Sequence, residues 1–326
     1  MTGRPKVFVT RRIPEVGLEL LRERFEVAMN AEDRPLSRAE FLAAIGDAEG
    51  LLCLLTDKVD AEAMDAAAKA KGFANYAVGF DNIDLAEATR RGIPVSNTPD
   101  VLTDATAEMA WALLFAVARR VVESDGLMRS GGWKGWGPLQ FIGGDVAGKT
   151  LGVVGGGRIG QAFAGKSRGF DMPILYCDER PSEAMERDLG ARRVSLDELL
   201  QESDFVSVHV PLLPSTRHLV DAAALRRMKR TAYLINTARG PVVDEAALVE
   251  ALRAGRIAGA GLDVYEDEPR AAEGLAALPN VVMTPHTASA TVSSRNGMAV
   301  KAARNLIAMV EGKRAPDCLN PGVYGA

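Results

Sequence analysis

The chain has 326 residues, enough for roughly two domains at about 150 residues each, and its 47% apolar and 25% charged side chains exclude wholesale disorder. Against 39 basic residues stand 43 acidic ones, so no basic excess exists to neutralise a phosphate backbone, and nucleic acid is excluded as a primary partner. The longest apolar run, 109–118, is about half of the ~20 residues a membrane helix needs, the opening MTGRPKVFVT lacks a signal-peptide core, and three scattered cysteines with three histidines give neither a disulfide framework nor a metal site.

Short β-rich runs alternate with helical patterns from the start. Residues 6–10 (KVFVT) predict a strand, and 14–24 a helix with Pro14 tolerated in its first turn. Further strands are expected at 25–29, 51–55 and 94–96, and helices at 37–45, 60–69 and 85–91. That alternation predicts βαβ units and a parallel sheet. A long helix is expected over 104–123, with Asp104 as N-cap and Gly126 just past its end. Its apolar centre (MAWALLFAVA) calls for burial on more than one side. The loop 130–144 follows, and Trp133 and Trp136 in it suggest an interface or a cleft rim. The alternation then restarts, with strands at 150–154, 174–177, 204–210, 232–236, 259–264 and 281–284. One intervening helix opens with a Ser195/Glu198 capping box. The last helix spans 289–311, stopped by Gly312 and later Pro316. The pattern predicts two doubly wound, parallel-sheet α/β domains with a cleft between them.

Residues 150–160 place a strand directly before Gly155-Gly156-Gly157-Arg158-Ile159-Gly160 and a helix directly after it. Gly155 suits the tight turn, Gly157 a close approach of backbone to pyrophosphate, and Gly160 tight helix–sheet packing. The helix N-terminus adds free N–H groups and a positive dipole end. Asp178 ends the next strand, 23 residues beyond Gly155, where it can accept from ribose hydroxyls. A 2′-phosphate would meet Asp178 and Glu179 and be repelled, so NAD is expected over NADP. Arg180 argues mildly the other way.

Three more segments end predicted strands: 236–244 with Arg239, 261–269 with Asp263 and Glu268, and 284–286 with His286. Open α/β sheets bind ligands at that edge. Each residue alone could be a surface charge, a loop acid or a structural histidine. Together they supply a cation, an orienting acid and a proton carrier, the set that hydride transfer to a 2-oxo acid requires.

With the segment 75–84 (NYAVGFDNID), the GGGRIG loop and the Arg239, Glu268 and His286 segments, the chain resembles the D-isomer-specific 2-hydroxyacid dehydrogenase family along nearly its whole length. Residues 73–114 most resemble its glyoxylate/hydroxypyruvate reductase branch. The resemblance implies that Arg239 binds substrate carboxylate and carbonyl oxygen, Glu268 orients His286, and His286 is the acid/base. It implies nicotinamide contact by Asp263, and further cofactor contacts at Thr106, Val210, Pro211, Thr216, Thr237, Ala238, Arg239, His286 and Ala288. Ala288 stands where relatives often carry glycine. Substrate contacts are implied at Leu55 and at the backbone N–H groups of Val78 and Gly79, besides Arg239 and His286. The implied fold is two flavodoxin-like or Rossmann domains: a discontinuous substrate domain, 1–103 with 290–326, and an NAD-binding domain, 104–289. A cytoplasmic homodimer through the cofactor domain is implied as well.

The expected reaction is reduction of a small 2-oxo acid by NADH. Glu268 beside His286 would favour the imidazolium that protonates the carbonyl oxygen. D-lactate or 3-phosphoglycerate oxidation is the alternative within enzymes. An NAD(H)-sensing, corepressor-like binding protein is the alternative outside them.

Overall fold

The computed structural model describes residues 3–325 of the chain. They form two compact units, one running to Leu102 and resuming at Ala290, the other comprising Thr103–Ser289.

In the first unit, β1 (Lys6–Val9), α1 (Glu15–Arg22), β2 (Glu26–Met29), α2 (Arg38–Ile45), β3 (Gly50–Cys53), α3 (Ala61–Ala66), β4 (Phe73–Asn75), α4 (Leu85–Arg90) and β5 (Val95–Ser96) alternate strictly. The five strands pair in parallel in the order β2-β1-β3-β4-β5. Both faces of such a sheet must be covered, which explains the continuous apolar character of β1 and β3. One face packs Phe41, Ile45, Met64 and Phe73 into a core. The long α11 (Val292–Val310) lies beside α1, so closely that a Cβ on Gly17 would sit 2.8 Å from Ala299 Cβ. The side chains of Ser37, Asp60, Asp84 and Thr291 accept from backbone N–H groups in the first turns of α2, α3, α4 and α11.

The second unit opens with α5 (Thr103–Ala118) and α6 (Val121–Arg129). Then come β6 (Leu151–Val154), α7 (Arg158–Gly165), β7 (Ile174–Cys177), β8 (Arg192–Arg193), α8 (Leu196–Glu202), β9 (Phe205–Val208), α9 (Ala222–Arg227), β10 (Tyr233–Asn236), α10 (Glu245–Arg253), β11 (Gly259–Leu262) and β12 (Val281–Met283). Seven parallel strands run β12-β11-β10-β9-β6-β7-β8. The chain builds outward from β6 through β7 to β8, then returns to start again at β9 on the other side. That reversal leaves a crevice at the carboxyl ends of β6 and β9, the usual ligand position in such sheets. On one face α5 packs against α7, β10 and β11. Trp111 stacks on Phe163, with ring centroids 5.0 Å apart, and its indole N–H donates to the Phe163 carbonyl at 2.9 Å. No helix among the described residues is long and apolar enough to cross a membrane.

Several local expectations need correction. The single helix predicted over 104–123 is two, and Gly126 lies inside the second. The break has a tertiary cause: the N–H of Gly144 takes the carbonyl of Ala118 at 2.9 Å, and the loop passes so near that a Cβ on Gly143 would meet that oxygen. Arg120 then adopts a left-handed conformation (φ 53°), bonded through Nε to Glu123 Oε2 at 2.6 Å. Asp104 is not the N-cap, because the helix already begins at Thr103. Only half of the Ser195/Glu198 box forms, since the Glu198 carboxylate turns to Arg192. A complete box occurs instead at Ser37 and Glu40. The last helix begins at Val292, three residues after the expected start. The exposed two-residue strand β8 carries too little pattern to have been expected.

Candidate active site

The glycine-rich turn between β6 and α7 is shaped by contacts that only glycine permits. Gly155 has φ +101° and lies against the His209 backbone, where a Cβ would come within 2.8 Å of the carbonyl carbon. A Cβ on Gly160 would be 2.0 Å from the Gly155 oxygen, so α7 can pack this low on the sheet only with glycine there. Above Gly157 nothing lies within 4 Å of the Cβ position, leaving its backbone open to an approaching phosphate. Arg158 and Ile159 begin α7. Asp178, following β7, accepts from the Gly156 N–H through Oδ2 at 2.7 Å and from the Arg180 N–H through Oδ1 at 3.2 Å. Its carboxylate thus ties the end of β7 to the glycine turn. Arg193 donates through Nη2 to the carbonyls of both Asp178 and Glu179 at 2.9 Å, fixing the loop on which Glu179 and Arg180 are exposed.

Val210 and Pro211 follow β9. Thr216 closes their loop, its Oγ1 donating to the Pro211 carbonyl at 2.6 Å and accepting from the Leu213 N–H at 2.8 Å. Thr106 is buried in the first turns of α5. Thr237, directly after β10, has a buried hydroxyl with no hydrogen-bond partner. Leaving such a group unmet costs about 1–3 kcal/mol. Thr237 lies at the same carboxyl edge as the glycine turn, two strands away from it, and a dinucleotide lying along that edge would satisfy its hydroxyl. No group of three or more His, Cys, Asp or Glu able to hold a metal occurs among the described residues.

At the ends of β10, β11 and β12 the unit brings Arg239, Glu268 and His286 into one electrostatic group. Asn236 shapes the Arg239 turn by accepting from the Ala238 N–H and donating to the Arg239 carbonyl, each at 3.0 Å. Gly240 lets that turn pack directly on the backbone of Tyr265, where a Cβ would not fit. Glu268 Oε2 receives His286 Nδ1 at 2.9 Å, and Oε1 receives the Tyr265 N–H at 3.1 Å. Both carboxylate oxygens are therefore held, and so is the imidazole plane. Burial disfavours the Glu268 charge, but the bond from His286, the charges of His286 and Arg239, and the Tyr265 N–H outweigh it. Its carboxyl sits below the usual glutamate range. With Nδ1 facing Glu268, the partly exposed imidazole keeps Nε2 for a substrate.

His286 itself is left-handed (φ 53°), an unfavourable state for a non-glycine residue. The surroundings impose it. The His286 N–H donates to the carbonyl of Asp263 at 2.9 Å. The Asp263 carboxylate, fully buried, accepts from the hydroxyls of Thr284 and Thr287 and from the N–H groups of Thr287 and Ala288. The Tyr265 hydroxyl donates to the Thr284 carbonyl at 2.9 Å. Asp263 thus grips the histidine turn, a role the sequence did not disclose. Tyr265 was missed altogether; its one signal was a position between the two acids of its segment.

The remaining residues of interest belong to the first unit. Leu55 follows β3, Val78 and Gly79 follow β4, and all three are at least partly exposed. They share the carboxyl edge of neighbouring parallel strands.

Comparison with known proteins bears on the family and the fold. Residues 111–288 match the family described as D-isomer specific 2-hydroxyacid dehydrogenase, NAD binding domain. The glyoxylate reductase of Thermococcus kodakarensis is 53% identical over 324 residues, covering 98% of this chain and 97% of the relative. That of Pyrococcus horikoshii is 51% identical over 321 residues, with 97% and 96% covered. Among solved structures, a Thermus thermophilus protein superposes with a TM-score of 0.89 at 46% identity, over 96% of this chain and 99% of that one. An NADPH-dependent glyoxylate/hydroxypyruvate reductase from Sinorhizobium meliloti, in complex with NADP and malonate, gives 0.87 at 37% identity over 98% of both chains.

Proposed function

The chain belongs to the D-isomer specific 2-hydroxyacid dehydrogenase family, and we propose that within it this protein is a cytoplasmic glyoxylate/hydroxypyruvate reductase that uses NADH in preference to NADPH. The observation that carries the reading is the Glu268–His286 pair: a carboxylate pinned on Nδ1 of an imidazole that offers Nε2 at the ligand edge of the sheet.

Bound at the glycine turn, the dinucleotide would supply the hydride for C2 of the 2-oxo acid. Gly155, Gly156, Gly157 and the first turn of α7 hold its pyrophosphate, and Asp178 its ribose. Thr106, Val210, Pro211, Thr216, Thr237, Ala238, Asp263 and Ala288 complete its surroundings. His286 gives its Nε2 proton to the carbonyl oxygen as that oxygen gains charge. Arg239 binds the substrate carboxylate and stabilises the same oxygen. The N–H groups of Val78 and Gly79 also take the carboxylate, with Leu55 beside the small substituent. Glu268 stabilises the imidazolium before transfer and keeps the ring oriented afterwards. The net change is one hydride and one proton added across C=O, which makes glycolate from glyoxylate.

NADH preference rests on Asp178 and Glu179, whose charges oppose a 2′-phosphate. A homodimer through the cofactor-binding unit rests on the apolar surface of α6 and the following loop, where Trp136 is 83% and Leu139 82% exposed. The test is oxidation of NADH and of NADPH with glyoxylate, hydroxypyruvate, pyruvate and 3-phosphohydroxypyruvate. The reading requires glyoxylate or hydroxypyruvate to give the highest kcat/KM, with NADH preferred. NADH binding without turnover of any of the four would refute it.

A further inference from the structure

Residues 77–80 cross the carboxyl edge of the first unit's sheet just after β4, and three of their carbonyls are captured from behind. The Thr98 N–H donates to the Ala77 carbonyl at 2.9 Å. Asn97 Nδ2 donates to the Val78 carbonyl at 2.7 Å, and Asn75 Nδ2 to the Gly79 carbonyl at 2.8 Å. The N–H groups of Ala77, Val78, Gly79 and Phe80, by contrast, meet no acceptor among the described residues. The two facts are one. In a planar trans peptide the C=O of a residue and the N–H of the next point in opposite directions. Holding the carbonyls of 77, 78 and 79 inward therefore turns the N–H groups of 78, 79 and 80 outward. N–H groups turned outward in succession are donors that an anion can use.

The two amides are themselves fixed. Asn75, the last residue of β4, is fully buried and shares bonds with Asn82 at 3.0 and 3.3 Å. Asn82 donates to the carbonyls of Leu54 at 3.0 Å and Asp57 at 3.1 Å, so the same network shapes the loop that carries Leu55. Asn97 follows β5, and its carbonyl accepts from the fully buried Asn305 of α11 at 3.3 Å. Buried amides in a closed network are rigid, because any rotation leaves a donor unmet.

We propose that Asn97 and Asn75 are positioning residues for the substrate carboxylate: by holding the Val78 and Gly79 carbonyls they aim the Gly79 and Phe80 N–H groups at it, which makes Phe80 N–H a further donor of the site. The inference rests on the reading of this loop as the carboxylate subsite. Neither asparagine touches substrate. Each acts through the backbone.

The experiment is steady-state kinetics of the full-length Asn97→Ala protein with glyoxylate and NADH, with oxalate as an inert carboxylate competitor. The KM for glyoxylate and the Ki of oxalate should rise together by about tenfold, the worth of roughly one well-placed hydrogen bond. The KM for NADH and the kcat at saturating glyoxylate should stay within about threefold, a split that general loosening of the fold does not produce. Should Asn97→Ala not fold, Asn97→Asp keeps the shape, loses the donor and is read the same way. An unchanged KM and Ki in a folded variant overturns the proposal, as does an equal loss in kcat and in NADH affinity. Wild-type protein inactive on every 2-oxo acid would instead overturn the functional reading beneath it.

Discussion

The roles proposed for His286, Glu268 and Arg239 differ, and their variants separate them. His286→Ala removes the proton donor and leaves the glycine turn alone. kcat should fall by roughly 10²–10⁴, with the NADH dissociation constant little changed in a fluorescence titration. Arg239→Ala should raise KM and lower kcat together, because the cation serves both the bound carboxylate and the developing oxygen charge. Lysine should rescue only part, since it lacks the planar fork. Glu268→Gln keeps the volume and removes the charge facing Nδ1. The ring then loses the anion that orients it, so kcat/KM for reduction should fall while the NADH dissociation constant holds. An unchanged kcat/KM for Glu268→Gln would reduce the catalytic set to His286 and Arg239. This group was legible because its members follow strand ends and carry three distinct chemistries. The left-handed turn of His286 was not legible. It is imposed by Asp263 and Tyr265, whose side chains reach it only once β11 and β12 lie side by side.

At the scale of elements, the turn from β6 into α7 is where the proposed cofactor binding can be tested. Gly160→Ala would put a methyl into the Gly155 carbonyl and lift α7 from the sheet. Overpacking of about 1–3 kcal/mol should weaken NADH binding by about 5- to 150-fold and lower the melting temperature. Undiminished NADH affinity would show that the helix tolerates the shift. Asp178→Ala should raise kcat/KM with NADPH relative to NADH, since it removes the negative charge at the ribose. The same change frees the Gly156 N–H, so absolute activity with NADH should fall as well. A wild-type preference for NADPH would dismiss Asp178 as the ribose ligand. α5 teaches a related point. Its apolar run announces burial on several sides, and it is buried against α7, β10 and β11. Its end is set by a glycine N–H some 26 residues on, a partner no helical pattern can indicate.

For the molecule as a whole, acid stability and assembly are the measurable consequences. Burial beside Phe163 lowers the His209 pKa to about 3, with its Nε2 on the Ser207 hydroxyl at 2.8 Å. An unfolded histidine titrates near 6.5. Between those values the unfolded chain binds the extra proton, so stability falls as pH falls, by up to about 1.4 kcal/mol per pH unit. Glu268 adds to the loss in stronger acid: its lowered carboxyl stabilises the fold above the ordinary glutamate range and ceases to do so on protonation. Urea melts from pH 7 to pH 4 should therefore show a shallower loss for His209→Gln than for wild type. Parallel curves would assign the acid sensitivity elsewhere. Light scattering at micromolar concentration should give twice the chain mass, because α6 and its loop leave Trp136 and Leu139 uncovered. A monomer would remove the dimer from the account.

The sequence by itself determined what depends on neighbours along the chain. Alternating apolar runs and helical periods dictated parallel α/β units, and the glycine spacing with Asp178 marked a dinucleotide turn. Position after a strand picked out Arg239, Glu268 and His286. Tertiary structure decided what depends on residues distant in sequence. It alone sets the αL kink at Arg120, the seating of His286 by Asp263 and Tyr265, and the capture of the Val78 and Gly79 carbonyls by Asn97 and Asn75. The physical reason is common to all three. Periodicity and spacing report which way a side chain faces, whereas a buried donor or acceptor is satisfied by whichever group the folded chain brings within about 3 Å of it.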